Sequence, residues 1–573
     1  MKVSDYIASF LYAQGVQCVF EVIGGMTTHL IDSLYRDGRI RIVSMHHEQA
    51  AAFAADAYAR ITGVPGVALA TSGPGATNLL TGIGSCYFDS SPAVFITGQV
   101  NRDEQKRTRA IRQLGFQETD IVAMAEPITK AAWRVESPDQ VPTLLAQAFA
   151  LALAGRPGPV LIDVPMDVQR ADIAVPTPAR IAAAAKPAAD LPSVESLLRA
   201  LRAAQRPLIL AGGGIRSAQA SLLFRAFAEQ MRVPVVNSLM AVDALPYDHS
   251  LRVGMIGSYG NRWANLAMGR ADLLLVLGSR LDIRQTGSET DAFKNGREIY
   301  HVDCESGEIN NRITGCRALV ADLRAFFEMA SELVSTHDLP ARTEWLAEIH
   351  ALAQTWRDTA EVENIPGINP NVLMHQLSTS ARMASAFVVD VGQHQMWAAQ
   401  SLEVDGTQRF LTSGGMGAMG FALPAAIGAV FAHPDQPVVV VAGDGGFQLN
   451  LQELQTVAHH RLPIKIIIVD NQCQGMVRQF QQSYFEGKYP ATLWGYSAPD
   501  FVRVAQAYGI AADVVHAPAD LPVALAHLWR DPTAPFLLRV MIDSYANAYP
   551  KIAFGRPMTD MEPLFKPLDM EGT

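Results

Sequence analysis

The sequence predicts an α/β protein made of three doubly wound domains, each built around a parallel sheet. Short, wholly apolar runs recur along the chain, and each is followed by glycine or polar turn residues and then by a helix-like pattern. Runs of this kind are typical of strands that are buried on both faces of a parallel sheet. Ligand sites in such sheets lie at the carboxyl ends of the strands. The predicted strands are 67–70, 94–97, 160–164, 208–211, 273–277, 438–442 and 466–470.

Two changes in composition mark the boundaries between the predicted domains. Residues 176–192 (PTPARIAAAAKPAADLP) and 361–370 (EVENIPGINP) contain the prolines and small residues that are typical of linkers. The second linker follows a helix that we predict near 343–359. The linkers divide the 573 residues into units at 1–172, 190–340 and 368–550, with a tail at 551–573. A chain of this length is expected to form three or four domains.

The composition argues against several classes of protein. Hydrophobic residues make up 49% and charged residues 18%, which indicates a globular chain with large cores. The net charge of -10 argues against nucleic acid as a partner. The apolar runs are too short to span a membrane, and the N-terminus lacks the basic start and apolar core of a signal peptide. The five cysteines are scattered without a Cys-x-x-Cys pair, so we expect neither a disulfide framework nor a zinc site, and a cytoplasmic location.

A glycine-rich turn after the strand at 438–442 is the strongest local signal for function. Gly443, Asp444, Gly445 and Gly446 form this turn, and Asn471 follows the next predicted strand. The two strand ends can present a carboxylate and an amide oxygen to one Mg²⁺ ion, which prefers oxygen ligands and phosphates. Glycines allow backbone N–H groups to approach phosphate oxygens, and we expect a helix after Gly446 to add its dipole. The alternative is an Asp-Gly turn with a purely structural role.

Three further segments, together with this turn, resemble the acetolactate synthase family of thiamine-diphosphate enzymes. They are VGQHQMWAAQ at 391–400, TSGGMGAMG at 412–420 and QGMV at 474–477, and the resemblance extends over about residues 4–540. It implies that the three units are the pyrimidine-binding, central and diphosphate-binding domains of these enzymes. Besides the turn and Asn471, it assigns to the cofactor the residues Gly24, Gly25, Pro74, Asn78, Gly392, Gln393, His394, Gly417, Met419, Gln474, Gly475, Met476 and Val477.

The resemblance also implies a magnesium site and a residue that shapes the cofactor. Asp444, Asn471 and the backbone carbonyl of Cys473 would hold the Mg²⁺ ion. Cys473 stands where the family usually has Glu, and Asp470 replaces the first Asn of the usual pair. Met419 falls on the position that bends the cofactor into a V, whereas a methionine in a glycine-rich stretch is more often a filler of gaps in packing.

Glu48 is the candidate for proton transfer. It opens a helix in which alanine and phenylalanine predominate, so its carboxyl group is expected to be desolvated. On the residues alone, a glutamate that stabilises the helix dipole is the better interpretation. The segments HEQAAAFAADAYAR and TSGPGATN, however, resemble the family's N-terminal domain, in which this Glu activates the thiamine ring. In the family, this Glu and the glycine-rich turn come from different subunits, which implies a homodimer or a homotetramer.

The substrates are expected to meet the cofactor beside two arginine-containing segments. Residues 109–118 resemble the family's substrate loop, and Phe116 and Gln117 fall on positions that line the reacting centre. Arg284 would bind the carboxylate of an acceptor, for which a guanidinium group is suited. Phe480 stands where acetolactate synthases usually have Trp, and replacements at 22–23 and in the tail also depart from the family. These departures resemble relatives that add an acetyl branch to keto sugars.

The middle unit resembles the FAD-holding domain of acetolactate synthases. A strand followed by three glycines is weak support on its own, because a tight crossover turn has the same pattern. Ser258 and Tyr259 replace the Met-His pair that lies near the flavin in the family. We expect a bound, redox-silent FAD. The residues assigned to it are Gly212, Gly213, Gly214, Ser238, Leu239, Gly278, Arg280, Asp282, Arg284, Asp303 and Asp322.

Together these features predict a carboligase that decarboxylates a 2-keto acid, with pyruvate as donor, and transfers the acyl carbanion to an acceptor carbonyl. The acceptor is a ketone, a keto sugar or a second 2-keto acid. Two alternatives remain at this point: a flavoenzyme of the pyruvate oxidase type, and a binding protein that keeps the fold without activity. Acetolactate synthase proper, which joins two pyruvates, is the nearest variant of the main hypothesis.

Overall fold

The computed structural model describes residues 1–174, 178–181, 186–334 and 340–568. It contains three six-stranded parallel sheets, which confirms the predicted fold class. The part of the linker at 176–192 that covers 176, 177 and 182–185 lies outside the described residues, as does the end of the tail. No helix in the described ranges combines the length and the apolar character needed to cross a bilayer.

The N-terminal sheet has the order β2-β1-β3-β4-β6-β5. Its strands are β1 (Cys18–Val22), β2 (Arg41–Ser44), β3 (Gly66–Ala70), β4 (Ala93–Gln99), β5 (Ala131–Arg134) and β6 (Pro159–Pro165). The helices are α1 (Val3–Ala13), α2 (Thr28–Asp37), α3 (Glu48–Thr62), α4 (Pro74–Asn78), α5 (Leu80–Asp89), α6 (Ile121–Ala125), α7 (Val141–Leu153) and α8 (Met166–Arg170).

The middle sheet has the order β12-β11-β10-β7-β8-β9. Its strands are β7 (Pro207–Ala211), β8 (Val235–Asn237), β9 (Arg252–Met255), β10 (Leu273–Leu277), β11 (Glu298–Asp303) and β12 (Arg317–Val320). The helices are α9 (Leu191–Ala203), α10 (Gly214–Ser217), α11 (Ser221–Met231), α12 (Arg262–Arg270), α13 (Ile283–Thr286), α14 (Thr290–Lys294), α15 (Leu323–Leu333) and α16 (Thr343–Thr355).

The C-terminal sheet has the order β14-β13-β15-β16-β18-β17. Its strands are β13 (Ala386–Val389), β14 (Arg409–Thr412), β15 (Val438–Gly443), β16 (Ile464–Asp470), β17 (Ala511–Val515) and β18 (Phe536–Met541). The helices are α17 (Pro370–Ser380), α18 (Gln393–Ser401), α19 (Ala422–Ala432), α20 (Asp444–Phe447), α21 (Leu454–His460), α22 (Gly475–Tyr484), α23 (Phe501–Ala507) and α24 (Leu521–Leu528).

The first and third sheets share one connectivity, whereas the middle sheet differs from both. Counted within each domain, the outer two sheets run 2-1-3-4-6-5 and the middle one runs 3-2-1-4-5-6. The latter is the order of dinucleotide-binding sheets, in which the ligand lies where the strand order reverses. In this protein that point lies between the ends of β7 and β10.

The sequence predicted seven strands that are apolar on both faces and missed the others, among them the fully buried strand β13. All seven predicted strands are present, with bounds that differ by a few residues. Short or partly exposed strands such as β2, β5 and β12 were missed, because half-exposed residues break the apolar run. The helix expected after Gly446 begins instead at Asp444, so Gly445 and Gly446 lie in its first turn. The helix expected near 343–359 ends at Thr355.

Helices α3 and α19 join the N-terminal and C-terminal domains. Helix α3 is buried along nearly its whole length and is rich in alanine, which is the pattern of a helix enclosed in a core. Small residues let the two helices approach closely: a methyl group at Gly428 of α19 would overlap the backbone of Ala54. Phe53 and Phe421 stack edge to face beside this contact, with 5.3 Å between ring centroids.

The segment after β18 folds back onto the middle domain. Its strands β19 (Lys551–Ile552) and β20 (Met561–Glu562) form an antiparallel ribbon. Arg262 of α12 donates to the carbonyl groups of Met561 and Glu562, and Ile552 N donates to Ser258 O at 2.9 Å. The predicted tail therefore begins as an ordered element that contacts the domain carrying the dinucleotide-type sheet.

The contact between α3 and α19 predicts the effect of one substitution. Gly428→Ala places a methyl group against the backbone of α3, which cannot yield as a flexible side chain would. We expect a loss of stability of about 1–3 kcal/mol, as for other overpacked core sites. Thermal unfolding followed by fluorescence measures this loss as a lower Tm. Gly307→Ala is the control, because a methyl group there meets no neighbouring atom, and equal Tm values for the two variants would contradict the close contact.

Candidate active site

Asp444 and Asn471 lie at the carboxyl ends of the adjacent strands β15 and β16. Gly443 pairs with Val469 in the parallel register, so the two side chains follow neighbouring positions at one edge of the sheet. Both side chains are buried. Among the described residues there is no cluster of three or more His, Cys, Asp or Glu side chains. The available metal ligands are therefore one carboxylate, one amide and backbone oxygens, which suit Mg²⁺ rather than zinc.

The electrostatics of Asp444 favour a bound cation. Burial, reinforced by the charge of Asp470, raises the pKa of Asp444 to about 7. The hydroxyl group of Tyr496 donates to Asp444 Oδ2 at 2.9 Å and works against this shift. A buried carboxylate is costly unless a positive charge compensates it. Tyr496 could not be predicted from the sequence, because it lies in a loop without a recognisable motif.

His394 and two glycines form a cradle at the same edge. The Nε2 atom of His394 is buried and has no hydrogen-bond partner, and burial lowers the pKa of this imidazole to about 3. A Cβ atom at Gly443 would lie 2.8 Å from the His394 ring, and one at Gly446 would lie 3.1 Å from Asp390. The neutral imidazole keeps one nitrogen free for a ligand, and the neighbouring backbone approaches too closely for any residue but glycine. Both features fit a ligand that carries phosphate groups.

A second set of contacts closes the cradle on the side of α22. Asn471 Nδ2 donates to Gln393 Oε1 at 3.2 Å, and Gln393 Nε2 donates to Gln479 at 3.0 Å. A Cβ atom at Gly475 would overlap Gln393 Oε1 and lie 2.5 Å from Asn471 Nδ2. A Cβ atom at Gly445 would lie 2.5 Å from Gln474. These polar side chains are thus held in place by one another and by the glycines.

The two departures from the family pattern around β16 have local partners. Asp470 forms a 2.7 Å ion pair with Arg539 of the neighbouring strand β18, so its charge is compensated within the sheet. The Cys473 thiol is buried against the carbonyl of Ser544 at 3.4 Å, and burial raises its pKa to about 12. The Cys473 side chain is therefore occupied elsewhere, and only its backbone carbonyl is available for a metal.

Met419 lies in a segment whose backbone bends twice. Gly417 and Gly420 adopt φ of 67° and 81°, which side chains rarely tolerate. Gly420 N donates to Asp390 Oδ1 at 2.9 Å, and Ala418 N donates to Ser413 Oγ at 3.1 Å. The half-buried Met419 side chain lines the same cavity as Asp444.

One cavity of about 1510 Å³ joins this edge of the C-terminal sheet to the middle domain. All predicted cofactor and metal residues of the C-terminal domain line it: Gly392, Gln393, His394, Gly417, Met419, Gly443, Asp444, Gly445, Gly446, Asn471, Cys473, Gln474, Gly475, Met476 and Val477. The residues predicted for FAD line it as well, except Gly212, and they are Gly213, Gly214, Ser238, Leu239, Gly278, Arg280, Asp282, Arg284, Asp303 and Asp322.

The middle-domain part of the cavity lies at the point where the strand order reverses. A Cβ atom at Gly212 would overlap Gly278 O, and one at Gly214 would lie 2.7 Å from Gly278 Cα. The glycines after β7 and β10 thus allow the two strand ends to approach. Lys186 pairs with Asp322 at 3.1 Å beside them, and Arg280 is only loosely paired with Asp282 at 3.5 Å.

The predicted residues of the N-terminal domain gather at the carboxyl edge of its own sheet. Glu48 is 9% exposed, and its Oε2 accepts a 2.9 Å hydrogen bond from Asn78 Nδ2. A Cβ atom at Gly75 would lie 3.1 Å from Glu48 Oε1. Gly24 follows β1 and packs so closely against Thr71 that a side chain there would overlap it. Gly25 and Pro74 are the exposed members of this group.

The predicted substrate loop is closed on itself by Glu118. Its carboxylate accepts hydrogen bonds from Lys106 N at 2.6 Å and from Leu114 N at 2.8 Å. Phe116 projects into solvent with 79% of its surface exposed. Gln117 has φ of 65° and lies beside Gly73, where an added Cβ would be 2.9 Å from Gln117 Cβ. The loop therefore presents Phe116 and Gln117 beside the Glu48 group, and Glu118 is a residue that sequence reasoning missed.

The Glu48 group does not line the cavity that contains Asp444. The N-terminal domain contributes residues 59–63, 88–92, 153 and 155–157 to that cavity, all of which precede strands β3, β4 and β6. Glu48, Gly24 and Asn78 lie at the opposite edge of the same sheet, about 20 Å away if β4 has ordinary strand dimensions. Within one chain, the two predicted halves of the site are apart.

Arg284 and Phe480 differ in their relation to the cavity. Arg284 is exposed and lines it, next to Tyr259. Phe480 of α22 is 39% exposed and does not line it. It packs against Tyr484 and Phe485, with centroid distances of 4.7 and 5.9 Å, and Tyr484 contacts Phe554 of the folded-back tail. Phe480 thus belongs to an aromatic cluster and not to the wall of the cavity.

Comparison with known proteins agrees with this geometry. Family models of the thiamine pyrophosphate enzymes match the chain at residues 1–124 (N-terminal TPP binding domain), 194–330 (central domain) and 390–540 (C-terminal TPP binding domain). The chain belongs to the thiamine pyrophosphate enzymes of the acetolactate synthase family. Membership makes it an enzyme of the carboligase type, which forms carbon–carbon bonds.

Three relatives illustrate the similarity. The large subunit of acetolactate synthase isozyme 2 from Escherichia coli is 37% identical, covering 98% of this chain and 99% of the relative. The acetolactate synthase large subunit from Parasynechococcus marenigrum is 38% identical over 96% and 89% of the two chains. Acetolactate synthase 2 from Nicotiana tabacum is 35% identical over 98% and 85%. These synthases do not favour the oxidase alternative.

The cradle predicts a loss of cofactor binding in Gly475→Ala. The added methyl group would overlap Gln393 and press on Asn471, which are tied to each other. We expect the affinity for thiamine diphosphate with Mg²⁺, measured by quenching of tryptophan fluorescence, to fall about tenfold or more, since displacing paired buried polar groups costs roughly 1–3 kcal/mol.

Gly307→Ala is the control for this substitution. Its methyl group meets no neighbouring atom and Gly307 does not line the cavity, so the affinity should not change. An unchanged affinity in Gly475→Ala would show that the cradle does not contact the cofactor.

Proposed function

We propose that this enzyme decarboxylates pyruvate and transfers the acetyl unit to an acceptor carbonyl, which yields a tertiary alcohol and CO₂. The observation that best supports this proposal is the cavity at the carboxyl edge of the C-terminal sheet. It combines the buried carboxylate of Asp444, an imidazole nitrogen without a partner and backbone that only glycine permits. Such a set fits a magnesium-bound diphosphate.

The cofactor and its metal would be held by residues of the C-terminal domain. Asp444, Asn471 and the carbonyl of Cys473 would bind Mg²⁺, while His394 and the backbone of Gly443 and Gly445 would contact the diphosphate. When bound, thiamine diphosphate supplies the electron sink for the carbanion that loss of CO₂ leaves. Met419, in its doubly bent segment, would support the middle of the cofactor.

We infer that a second copy of the chain completes the site. Glu48 lies at one edge of the N-terminal sheet, and the cavity with Asp444 lies against the other edge. A two-fold arrangement can bring the Glu48 edge of one copy to the cavity of the other, and each dimer would then hold two sites. A homodimer is the smallest assembly that meets this requirement, and a homotetramer would contain two such pairs.

Glu48 would move the proton that activates the cofactor. Its nearly buried carboxyl group keeps Oε2 on Asn78, while Oε1 faces the small residue Gly75. This arrangement orients the carboxyl group and leaves one oxygen for a ring nitrogen of the cofactor. Gln117 and Phe116, beside the same group, would cover the reacting atoms and exclude water, which limits loss of the carbanion to protonation.

FAD is the proposed occupant of the middle-domain part of the cavity. The strand order of this domain is that of dinucleotide-binding sheets. The glycines after β7 and β10 leave no side chains at the point where the strand order reverses. The donor set there includes Arg280, Ser238 and backbone N–H groups, which suit a diphosphate. We propose that the flavin is redox-silent, because the net reaction of a carboligase transfers no electrons.

The acceptor is proposed to be a ketone or keto sugar, with a second 2-keto acid as the alternative. Arg284 lines the cavity and can bind a carboxylate or a hydroxyl-rich group. Phe480, which stands where acetolactate synthases usually have Trp, packs among other aromatic rings one helical turn beyond the lining residues Met476 and Val477 of the same helix. Discrimination by one methylene group is worth only about 1–3 kcal/mol, so a change in this cluster can alter the choice of acceptor.

The five unpaired cysteines support a cytoplasmic location.

Product analysis tests this function. The purified protein is incubated with thiamine diphosphate, Mg²⁺, FAD and pyruvate, with and without a ketone. We expect CO₂ in both cases and a tertiary alcohol derived from the ketone when it is present. Glu48→Gln should lower CO₂ release about 10²–10⁴-fold, the usual contribution of a positioned acid or base, while thiamine diphosphate remains bound.

Three outcomes contradict parts of the proposal. Absence of CO₂ from pyruvate in the wild-type protein would refute the donor. Acetolactate as the dominant product in the presence of the ketone would identify a second pyruvate as the acceptor. Bleaching of the flavin by pyruvate without oxygen, at the rate of turnover, would indicate an oxidase.

A further inference from the structure

A buried ionic cluster of the N-terminal domain holds the segment that carries Met419. Arg60, in the last turn of α3, binds Asp56 through two hydrogen bonds of 2.6 and 2.8 Å and contacts Asp89 at 3.1 Å. Asp89 ends α5, and its side chain is 1% exposed. Two carboxylates thus share one buried guanidinium group, and burial raises the pKa of Asp89.

The C-terminal domain supplies the remaining partners of this cluster. Asp89 Oδ1 accepts from Gly415 N at 2.6 Å, and Oδ2 accepts from Gly414 N at 3.1 Å. Arg60 Nη1 donates to the carbonyl of Thr412 at 2.8 Å. Hydrogen bonds from backbone N–H groups to a charged carboxylate are about twice as strong as neutral ones. The segment 412–415 is therefore held by the N-terminal domain in addition to Gln395 of its own domain, whose Nε2 donates to Thr412 Oγ1 at 2.7 Å.

Both ends of the Met419 segment are tied within the C-terminal domain, and its beginning is tied to the N-terminal domain as well. Its beginning is bound by Arg60 and Asp89, and its end is bound by Asp390 through Gly420 N. The fit at the beginning is tight, since a Cβ atom at Gly415 would lie 2.8 Å from Phe88 Cβ and 3.0 Å from Asp89 Oδ1. The residues that cradle the diphosphate, 392–394 and 443–446, make no hydrogen bond to this cluster.

We propose that Asp89, supported by Arg60, is a positioning residue that sets the location of Met419 relative to the cofactor. The inference rests on the proposed function, because it assumes that Met419 supports the middle of the cofactor. The carboxylate of Asp89 fixes the backbone of Gly414 and Gly415, and this fixes the entry into the bend at Gly417. Asp89 acts on Met419 through the backbone of Gly414 and Gly415.

The test compares Asp89→Asn with the wild-type protein in pyruvate decarboxylation. The amide removes the charge and offers one oxygen to two N–H groups, so the segment should shift. We expect kcat per bound cofactor to fall about 10- to 100-fold, as for other small misplacements of a positioned group. The dissociation constant for thiamine diphosphate, from fluorescence quenching, should change little because the diphosphate cradle is separate.

Two further variants distinguish positioning from general stability. Gly415→Ala disturbs the same contact from the other side without changing any charge, and it should lower kcat in the same way. If Asp89→Asn does not fold, Gly415→Ala still tests the inference. Asp358→Asn removes a buried carboxylate elsewhere, one that binds His375 and Ser401, and should lower Tm without lowering kcat. A folded Asp89→Asn or Gly415→Ala with wild-type kcat overturns the inference. A wild-type protein that releases no CO₂ from pyruvate refutes the proposed function instead.

Discussion

The contact between α3 and α19 is the constraint on which the rest of the structure depends. These helices follow the second strand of two sheets that share one strand order, and they meet where Ala54 faces Gly428. Alanines and a glycine at this point remove the side chains that would hold the helices apart. The two domains therefore share one hydrophobic core, which contains residues of both sheets. This shared core fixes the sheet edge that carries Glu48 and the sheet edge that carries Asp444 relative to each other.

One helix links three features of the proposed chemistry. Helix α3 begins with Glu48, crosses α19 at Ala54, and ends with Arg60, which helps to fix the segment that carries Met419. Glu48 points to one edge of the N-terminal sheet and Arg60 lies at the other. In the proposed dimer the same helix would thus serve two active sites. Glu48 would transfer a proton in one site, and Arg60 would help to position Met419 in the other. This arrangement explains why so much charge is buried at the end of an otherwise apolar helix.

The sequence predicted the parts of the protein that depend on local pattern. Strands such as β15 and β16 were predictable because both of their faces are buried, and the turn at Gly443 was predictable because only glycine permits its close contacts. Tyr496, Glu118 and Asp89 were missed because each acts on residues that are distant in sequence, and a single polar residue in a loop or at a helix end leaves no periodic signal. The roles assigned to Glu48 and Met419 came from resemblance, whereas that of Asp444 was first inferred from the two strand ends, and all three are proposals.

The central claim is that Glu48 of one copy serves the cofactor site of another. It is tested most directly by co-expressing Glu48→Gln and Asp444→Asn chains with different affinity tags and isolating the mixed dimer. Each parent should be nearly inactive, while the mixed dimer, in which one of the two sites keeps both residues, should show about half of the wild-type turnover. A mixed dimer that is as inactive as its parents would contradict the account and would mean that each site is built within a single chain.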